Sequence, residues 1–267
     1  MTGDDAYAVP VRIHGISEKT IYHWRVRLCV ETEDAREIWL PWSEAARFET
    51  GLKDSASRIA HWIEADEQFY RDADRECRQY WKRVDPGDAE SVKTYGGDQG
   101  LRRVPCLRKE FRVRPGIVKG RLYITARGFY EAHLNGRKIG PNALAPDFTA
   151  YDKCIYYQTY DITDLLLEGE NRFDILLGDG WYAGHAQGIP GTNHLYGMRP
   201  ALIMQAEIVY EDGTSDMVIS DESFRVAAGP LQYADLFMGE RYDMRFEDRQ
   251  YVYGTVRRDY DKSVLVP

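Results

Sequence analysis

Six residues on predicted loops have side chains suited to holding a small polyhydroxylated molecule. An aromatic ring can cover the C–H face of a sugar, while carboxylate and amide groups hydrogen-bond its vicinal hydroxyls. A hard cation such as calcium can bridge two hydroxyls through oxygen ligands, although no Asp-rich calcium loop stands in the sequence. These residue types predict a sugar-binding rim, with Asp179 as the candidate ligand for any calcium. The six residues are Asp147, Tyr151, Asp179, Trp181, Tyr182 and Asn193.

The same residues also fit a structural interpretation, in which Trp181 plugs the end of a β-sandwich and Asp179 caps a turn. Catalysis is not predicted. Hydrolysis of a glycoside needs two facing carboxyl groups, roughly 6.5–9.5 Å apart in an inverting enzyme. With 43 acidic residues in the chain, pairs such as Glu240 and Asp243 arise easily and identify no active site. No residue is therefore assigned a catalytic role.

Two histidines, His185 and His194, lie in the loop from Gly184 to Pro200. Neither has a partner at the spacing of a metal site, such as HxxxH. Loop histidines without such partners are usually solvated. The sequence therefore predicts that both side chains face water.

The stretch from Ala126 to Gly184 must position the candidate residues, and it reads as short strands joined by specified turns. In RGFYEAHLNGRKI, apolar residues alternate, and Asn135-Gly136 supplies the positive φ angles of a tight hairpin. CIYYQTYDIT is rich in the residues that pleated sheets favour. After one helical turn at Asp164, RFDILLGDGWY returns as a strand that ends at the rim. The pattern predicts an all-β sandwich.

This stretch resembles the N-terminal β-sandwich module of bacterial α-L-rhamnosidases, glycoside hydrolase family 78. The matching pieces, in the family's order, are ARGFYEAHLNG, LAPDFTAYDK, YQTYDITDLL, EGEN, GDGWYAG and GERYDMR. The resemblance implies a jelly-roll or galactose-binding-like sandwich. It also implies that the catalytic acids lie on an (α/α)6 barrel, which nothing in this chain resembles. Related sandwiches include calcium-dependent rhamnose-binding modules, which supports the sugar-binding interpretation of the rim.

Four segments are predicted along the chain. Residues 1–52 hold a partial fibronectin type III-like strand set, because only about three of that domain's strands fit there. Residues 53–103 form a connector with one helix, in DEQFYRDADRECRQYWKRV, and a Gly-rich loop. Residues 104–250 form the sandwich, and residues 251–267 a tail. No role is predicted for the insertion at residues 66–100.

Composition excludes several classes of function. The net charge of −8 argues against nucleic acid and against an anionic membrane surface. No stretch approaches the ~18 apolar residues of a membrane span. The start, MTGDDAYAVP, lacks the apolar region of a secretory signal, which predicts a reduced, cytoplasmic protein. Four cysteines are scattered without a CxxC pair, and Cys29 and Cys106 are expected to be small buried hydrophobes.

The favoured function is the non-catalytic N-terminal part of an α-L-rhamnosidase-like hydrolase. By resemblance, the parent reaction is inverting removal of terminal α-L-rhamnose, and the expected partners are the (α/α)6 barrel and a rhamnose-containing carbohydrate. No cofactor is expected other than calcium. Two alternatives stay open: a free-standing carbohydrate-binding module, and a truncated scaffold without a ligand. A small active enzyme would need a cleft with two facing carboxylates.

Overall fold

The computed structural model describes residues 13–32, 34–52, 57–73, 102–186, 194–260 and 264–266. The chain divides into two units, Met1–Arg58 and Ile59–Pro267. The predicted Gly-rich loop and most of the predicted connector helix lie outside the described residues. So do Cys77 and Asn193.

The first unit contains two antiparallel pairs of strands. Strand β1 (Ile21–Trp24) pairs with β4 (Ala46–Glu49), and β2 (Cys29–Glu31) pairs with β3 (Glu37–Trp39). Every residue of β2 and β3 is exposed, so the prediction that Cys29 is buried was wrong. A strand-like pattern buries a thiol only where another layer covers the strand. The likeness to a fibronectin type III domain remains a prediction.

The second unit is a sandwich of two antiparallel sheets. One sheet runs in the order β11-β7-β13-β5-β18, with β14 also paired to β13, and the other runs β15-β6-β12-β8-β9. The first sheet consists of β5 (Trp62–Ala65), β7 (Ile117–Arg127), β11 (Gln158–Asp161), β13 (Ala201–Tyr210), β14 (Ser215–Ile219) and β18 (Thr255–Arg258). The second consists of β6 (Pro105–Val113), β8 (Phe129–Leu134), β9 (Arg137–Lys138), β12 (Gly169–Gly178) and β15 (Arg225–Ala228). The predicted all-β sandwich is confirmed.

The remaining elements are short. Strand β10 (Cys154–Tyr156) pairs in parallel with β19 (Val264–Val266), and β16 (Leu231–Asp235) forms a hairpin with β17 (Gly239–Tyr242). Helix α1 covers residues 67–73, and α2 covers Gly180–Ala183. Single 3-10 turns lie at Thr163–Leu165, where a helical turn is predicted, and at Met244–Phe246. In the described part of the chain, no helix combines the length and apolar character needed to span a membrane.

Burial explains why the two sheets differ in sequence pattern. Strands β8 and β12 alternate between buried and partly exposed residues, because one face packs on the core and the other meets solvent. The central strands β7 and β13 are buried almost continuously. Their second face is covered by a further cluster of buried side chains. That cluster contains Ala60, Trp62, Tyr151, Ile155, Tyr182, Ala183, Ala201 and Ile203.

Segments assigned above to the connector and the tail contribute to the sandwich. Strand β5 lies between β13 and β18, and the α1 residues Phe69 and Tyr70 are buried in the core. Strand β18, from the predicted tail, pairs with β5 over four residues. These strands have only four residues each, so their alternation is too brief to distinguish them from loop.

The predicted turn at Asn135-Gly136 is confirmed, since both residues have positive φ, 53° and 79°. The Asn135 side chain donates a hydrogen bond to Oδ1 of Asn171, which is buried. Asn171 also accepts from the backbone N–H of Leu167 and donates to the carbonyls of Leu167 and Gly169. One buried amide therefore satisfies the backbone where the chain enters β12.

Substituting Asn171→Ala is expected to destabilise the sandwich by about 2 kcal/mol, because it leaves several buried backbone groups without partners. Urea unfolding followed by circular dichroism measures this loss. The matched control is Asn142→Ala, since Asn142 is exposed and its amide donates a hydrogen bond to the Tyr160 hydroxyl rather than to the backbone. Equal stability of the two variants would contradict the structural role of Asn171.

Candidate functional site

The candidate site begins where β12 ends and α2 follows, at Asp179. Two glycines allow the backbone to pack closely there. A Cβ at Gly128 would lie 2.3 Å from the Gly178 carbonyl oxygen, and Gly128 has a φ of +122°. A Cβ at Gly180 would lie 2.9 Å from the Phe129 ring. The junction of β7 and β8 thus fixes the turn that carries Asp179.

The Asp179 carboxylate makes no hydrogen bond with any residue that the structure describes. Asp179 occupies the N-cap position of α2, yet its side chain does not cap the helix. The interpretation of Asp179 as a turn cap was therefore wrong. Burial raises the pKa of its carboxyl to about 7; the positive charge of Arg102 lowers it and the negative charge of Asp235 raises it further. An acceptor without a donor is suited to a ligand that brings hydroxyl groups.

Next to Asp179 lies a buried pair, His185 and Asp235, whose side chains are each 2% exposed. Oδ2 of Asp235 accepts hydrogen bonds from the His185 backbone N–H and contacts its ring Nδ1 at 2.9 Å. Burial alone would raise the pKa of Asp235, but the hydrogen bonds from His185, Met238 and Phe237 lower it. Nε2 of His185 is buried without a partner among the described residues.

The prediction that His185 is solvated was wrong. A Cβ at Gly184 would meet Asp235 Oδ2 at 2.9 Å and Asp179 Cβ at 3.5 Å, so the loop leaves α2 directly against the β16–β17 hairpin. Asp235 lies 50 positions along the chain from His185, beyond any local spacing rule. His194 is partly buried and donates its backbone N–H to the Ala183 carbonyl.

A second buried group without a partner, the Tyr70 hydroxyl, also neighbours Asp179. Burial, followed by the charges of Glu64 and Asp179, raises the pKa of Tyr70. The guanidinium of Arg199 lies over the Tyr70 ring at 4.4 Å and binds both oxygens of Glu67. Helix α1 thereby brings a polar group from the predicted connector to the rim.

Three aromatic rings line the rim beside Asp179. Trp181 contacts Phe148 at 5.5 Å and Phe237 at 5.8 Å between ring centroids. The interplanar angles are 69° and 72°, so each phenylalanine stands nearly perpendicular to the indole. Phe148 is 52% exposed and Phe237 is 45% exposed. Phe148, Trp181 and Phe237 are called the aromatic corner below.

The structure brings together only part of the predicted set of site residues. Asp179 and Trp181 lie at the rim, while Tyr151 and Tyr182 pack on each other at 5.3 Å inside the second buried cluster. Burial leaves those two rings no free face for a ligand. Asp147 is exposed, and its Oδ1 accepts from the Phe148 backbone N–H.

Sequence reasoning missed Phe148, Phe237, Tyr70 and the His185–Asp235 pair. Phe148 lies in LAPDFTAYDK, so proximity to Asp147 was an available signal; Phe237 and Tyr70 offered none, because they come from distant elements. Arg127 is buried against Trp62, Tyr182 and Tyr260, so its side chain is internal and does not line the rim.

The described residues contain no group of three or more His, Cys, Asp or Glu side chains placed to hold a metal ion. Cys106 is buried in β6, as predicted, whereas Cys29 is exposed. Both thiols are free, as is that of Cys154.

Comparison with known proteins gives one consistent result. Residues 116–265 match the family model for the α-L-rhamnosidase N-terminal domain. An α-L-rhamnosidase of Streptomyces avermitilis is 41% identical over 190 residues, covering 67% of this chain and 18% of that protein. An α-L-rhamnosidase of an Alteromonas species is 31% identical over 250 residues, covering 93% of this chain and 24% of that protein.

The solved structure of another α-L-rhamnosidase is also similar to this chain. The crystal structure of native α-L-rhamnosidase from Aspergillus terreus superposes with a TM-score of 0.73 and 28% identity. The superposition covers 92% of this chain and 26% of that one. The chain therefore spans about a quarter of the length of these three rhamnosidases, or less.

Proposed function

The chain belongs to the α-L-rhamnosidase N-terminal domain family, and we propose that it is the non-catalytic sandwich of a rhamnosidase-like hydrolase that holds carbohydrate at its rim. In the parent protein this sandwich would pack on an (α/α)6 catalytic barrel. The parent reaction would be hydrolysis of terminal α-L-rhamnose with inversion, by an acid and a base on that barrel. The chain covers 18% and 24% of the two relatives, and this small share favours a non-catalytic role.

The observation that carries the carbohydrate site is the Asp179 carboxyl. It lies beside Arg102 and Asp235, and no described residue donates to it. The residue is only partly buried, so a ligand or water can reach the carboxyl and supply the missing donors. The aromatic corner is connected to this carboxyl through Asp235, which accepts a hydrogen bond from the Phe237 backbone N–H. The Phe237 ring in turn contacts Trp181. Hydroxyl groups and an apolar face on one small molecule would satisfy both features.

Titration of L-rhamnose into the purified chain, followed by calorimetry, tests this site. Saturable heat is expected for the native chain. At least a tenfold loss of affinity is expected for Asp179→Asn and Trp181→Ala, which remove a hydroxyl acceptor and the floor of the aromatic corner. Repeating the titration with calcium and then with chelator determines whether a metal bridges sugar and carboxylate.

Two control variants make the same kinds of substitution at positions outside the site. Asp164→Asn alters an exposed carboxylate before the start of β12, roughly 30 Å from Asp179 by the rise of a ten-residue strand. Tyr156→Ala removes an exposed ring from β10. Both are expected to bind like the native chain. Absence of heat at millimolar sugar, with and without calcium, would exclude the binding role and leave a scaffold function.

A further inference from the structure

Strands β2 and β3 of the first unit have two faces of different chemistry. On one face, the Arg27 guanidinium lies 4.3 Å from the centre of the Trp39 ring and 4.6 Å from that of Trp42. Cys29 is the register partner of Trp39 and belongs to the same face. These cation–π contacts give the two exposed indoles a partner within their own unit.

The other face of β2 and β3 is aliphatic and exposed. Val30 and Ile38 are register partners, and the Leu40 N–H donates to the Leu28 carbonyl, so each pair lies side by side across the strands. Because side chains alternate between the two faces of a strand, these four point away from the face of Trp39. The same alternation places the valine two positions before Leu28 beside them. This aliphatic face consists of Val26, Leu28, Val30, Ile38 and Leu40.

The aliphatic face is large for a surface that meets only water. Its five side chains are between 41% and 65% exposed. Together they present roughly 400 Å² of apolar surface, which is comparable with the largest apolar patch on a typical monomer. None of the five carries a charge or a hydrogen-bonding group. Two paired strands without a covering layer are also marginally stable in water. The aliphatic face thus has the size and composition of a contact surface.

We infer that the aliphatic face is the docking surface for a second copy of this chain, related to the first by a two-fold axis. A charged or hydroxylated partner surface would lose its water on this face and gain no hydrogen bond in return. A second copy offers a matching surface, because a two-fold contact places the same patch on both chains.

The size and charge of the contact determine how strong this dimer is. Two aliphatic faces would bury about 800 Å² in total, which is small for a specific interface and predicts a weak dimer. Each chain carries a net charge of −8, so two copies repel each other at a distance. The aliphatic face itself brings no like charges together, and added salt screens the repulsion between the chains. The dimer is therefore expected to be stronger at high salt.

Sedimentation equilibrium of the purified chain over a range of concentrations tests the dimer. A monomer–dimer equilibrium is expected, with a dissociation constant on the order of 10 μM. Raising the salt concentration from about 0.05 M to about 0.5 M should lower this constant. A dissociation constant that rises with salt would overturn an apolar contact, because it would show that opposite charges hold the two chains together.

Two variants place a charge in the centre of the aliphatic face. Leu28→Lys and Ile38→Lys are each expected to weaken dimerisation by at least about tenfold, because the ammonium group would lose its water in the contact. Both substitutions make the chain less negative, so added repulsion between copies cannot explain the loss. The control is Leu167→Lys, the same change at an exposed leucine of the second unit. It should dimerise like the native chain. All three positions are exposed, and a thermal melt confirms that each variant is folded.

Three results would overturn the docking of a second copy on this face. The first is a native chain that stays monomeric up to about 200 μM at both salt concentrations. The second is a dimer that persists unchanged in both the Leu28 and the Ile38 variant. The third is association that continues beyond two copies, because a two-fold contact closes at the dimer. Sugar binding at Asp179 is measured separately and does not depend on any of these results.

Discussion

Replacing Phe173 with alanine is expected to lower the free energy of unfolding of the sandwich by about 3–5 kcal/mol. Phe173 is fully buried in the middle of β12 and stacks on Phe111 at 5.1 Å between ring centroids. Its strand pairs with β6 on one side and β8 on the other, so neighbouring strands have little freedom to close the cavity. The cost therefore includes both lost burial and an unfilled space.

Urea unfolding measures this loss, provided that the slope of the unfolding free energy against urea concentration is the same in both proteins. The matched control is Phe148→Ala. It removes the same ring from a half-exposed position, so a change of no more than about 1 kcal/mol is expected. A similar loss in both variants would show that β12 is not the centre of the core.

The second large effect is a pH-dependent stabilisation by Asp179→Asn. Burial raises the pKa of the folded Asp179 carboxyl to about 7, above its ordinary value of 3.8. At about pH 2, below both pKa values, the folded and unfolded chains both hold the proton, and the variant should match the native chain. By pH 8 the variant should be more stable, by up to about 4 kcal/mol.

Relative to the variant, the native chain becomes less stable as the pH rises, because its folded state holds the Asp179 proton more tightly than its unfolded state. Between about pH 4 and pH 7, the unfolded chain has released the Asp179 proton while the folded chain retains it, so rising pH favours unfolding. The native chain then loses up to about 1.4 kcal/mol per pH unit relative to the variant. Above pH 7 both states are ionised and the gap levels off.

Only the difference between the two chains is diagnostic. Asp161 and Asp221, among others, have lowered pKa values, and their contribution to stability falls in acid in both chains. Parallel urea titrations at several pH values give the difference directly. A gap that stays constant from pH 4 to pH 8 would contradict a raised Asp179 pKa.

The strands that sequence alone predicted correctly share long, regular patterns. RFDILLG lies in β12, and the alternation in FYEAHL is β8. The turn at Asn135-Gly136 was predictable because only a few residue types accept positive φ. The burial of Cys106 also followed from its strand, whereas Cys29 has the same local pattern and is exposed.

The candidate site was less predictable because long-range contacts assemble it. Asp179 and Trp181 stand out in GDGWYAG as local residue types. Their neighbours Tyr70, Phe148 and Phe237 arrive from three other parts of the chain, and His185 is buried by a hairpin about 50 positions later. Tyr151 and Tyr182 have the composition of site residues, yet the second face of the central sheet requires them for packing.

Strand β5 has a consequence for how this protein is made. It is held on one side by β18, and Glu64 contacts Arg258, 194 positions later. During synthesis, β5 leaves the ribosome early. Its edge facing β18 stays unpaired until β18 emerges. Contacts across so long a separation slow folding. An exposed strand edge also invites pairing with other chains. Early synthesis is therefore the stage at which this sandwich is most vulnerable to misassembly.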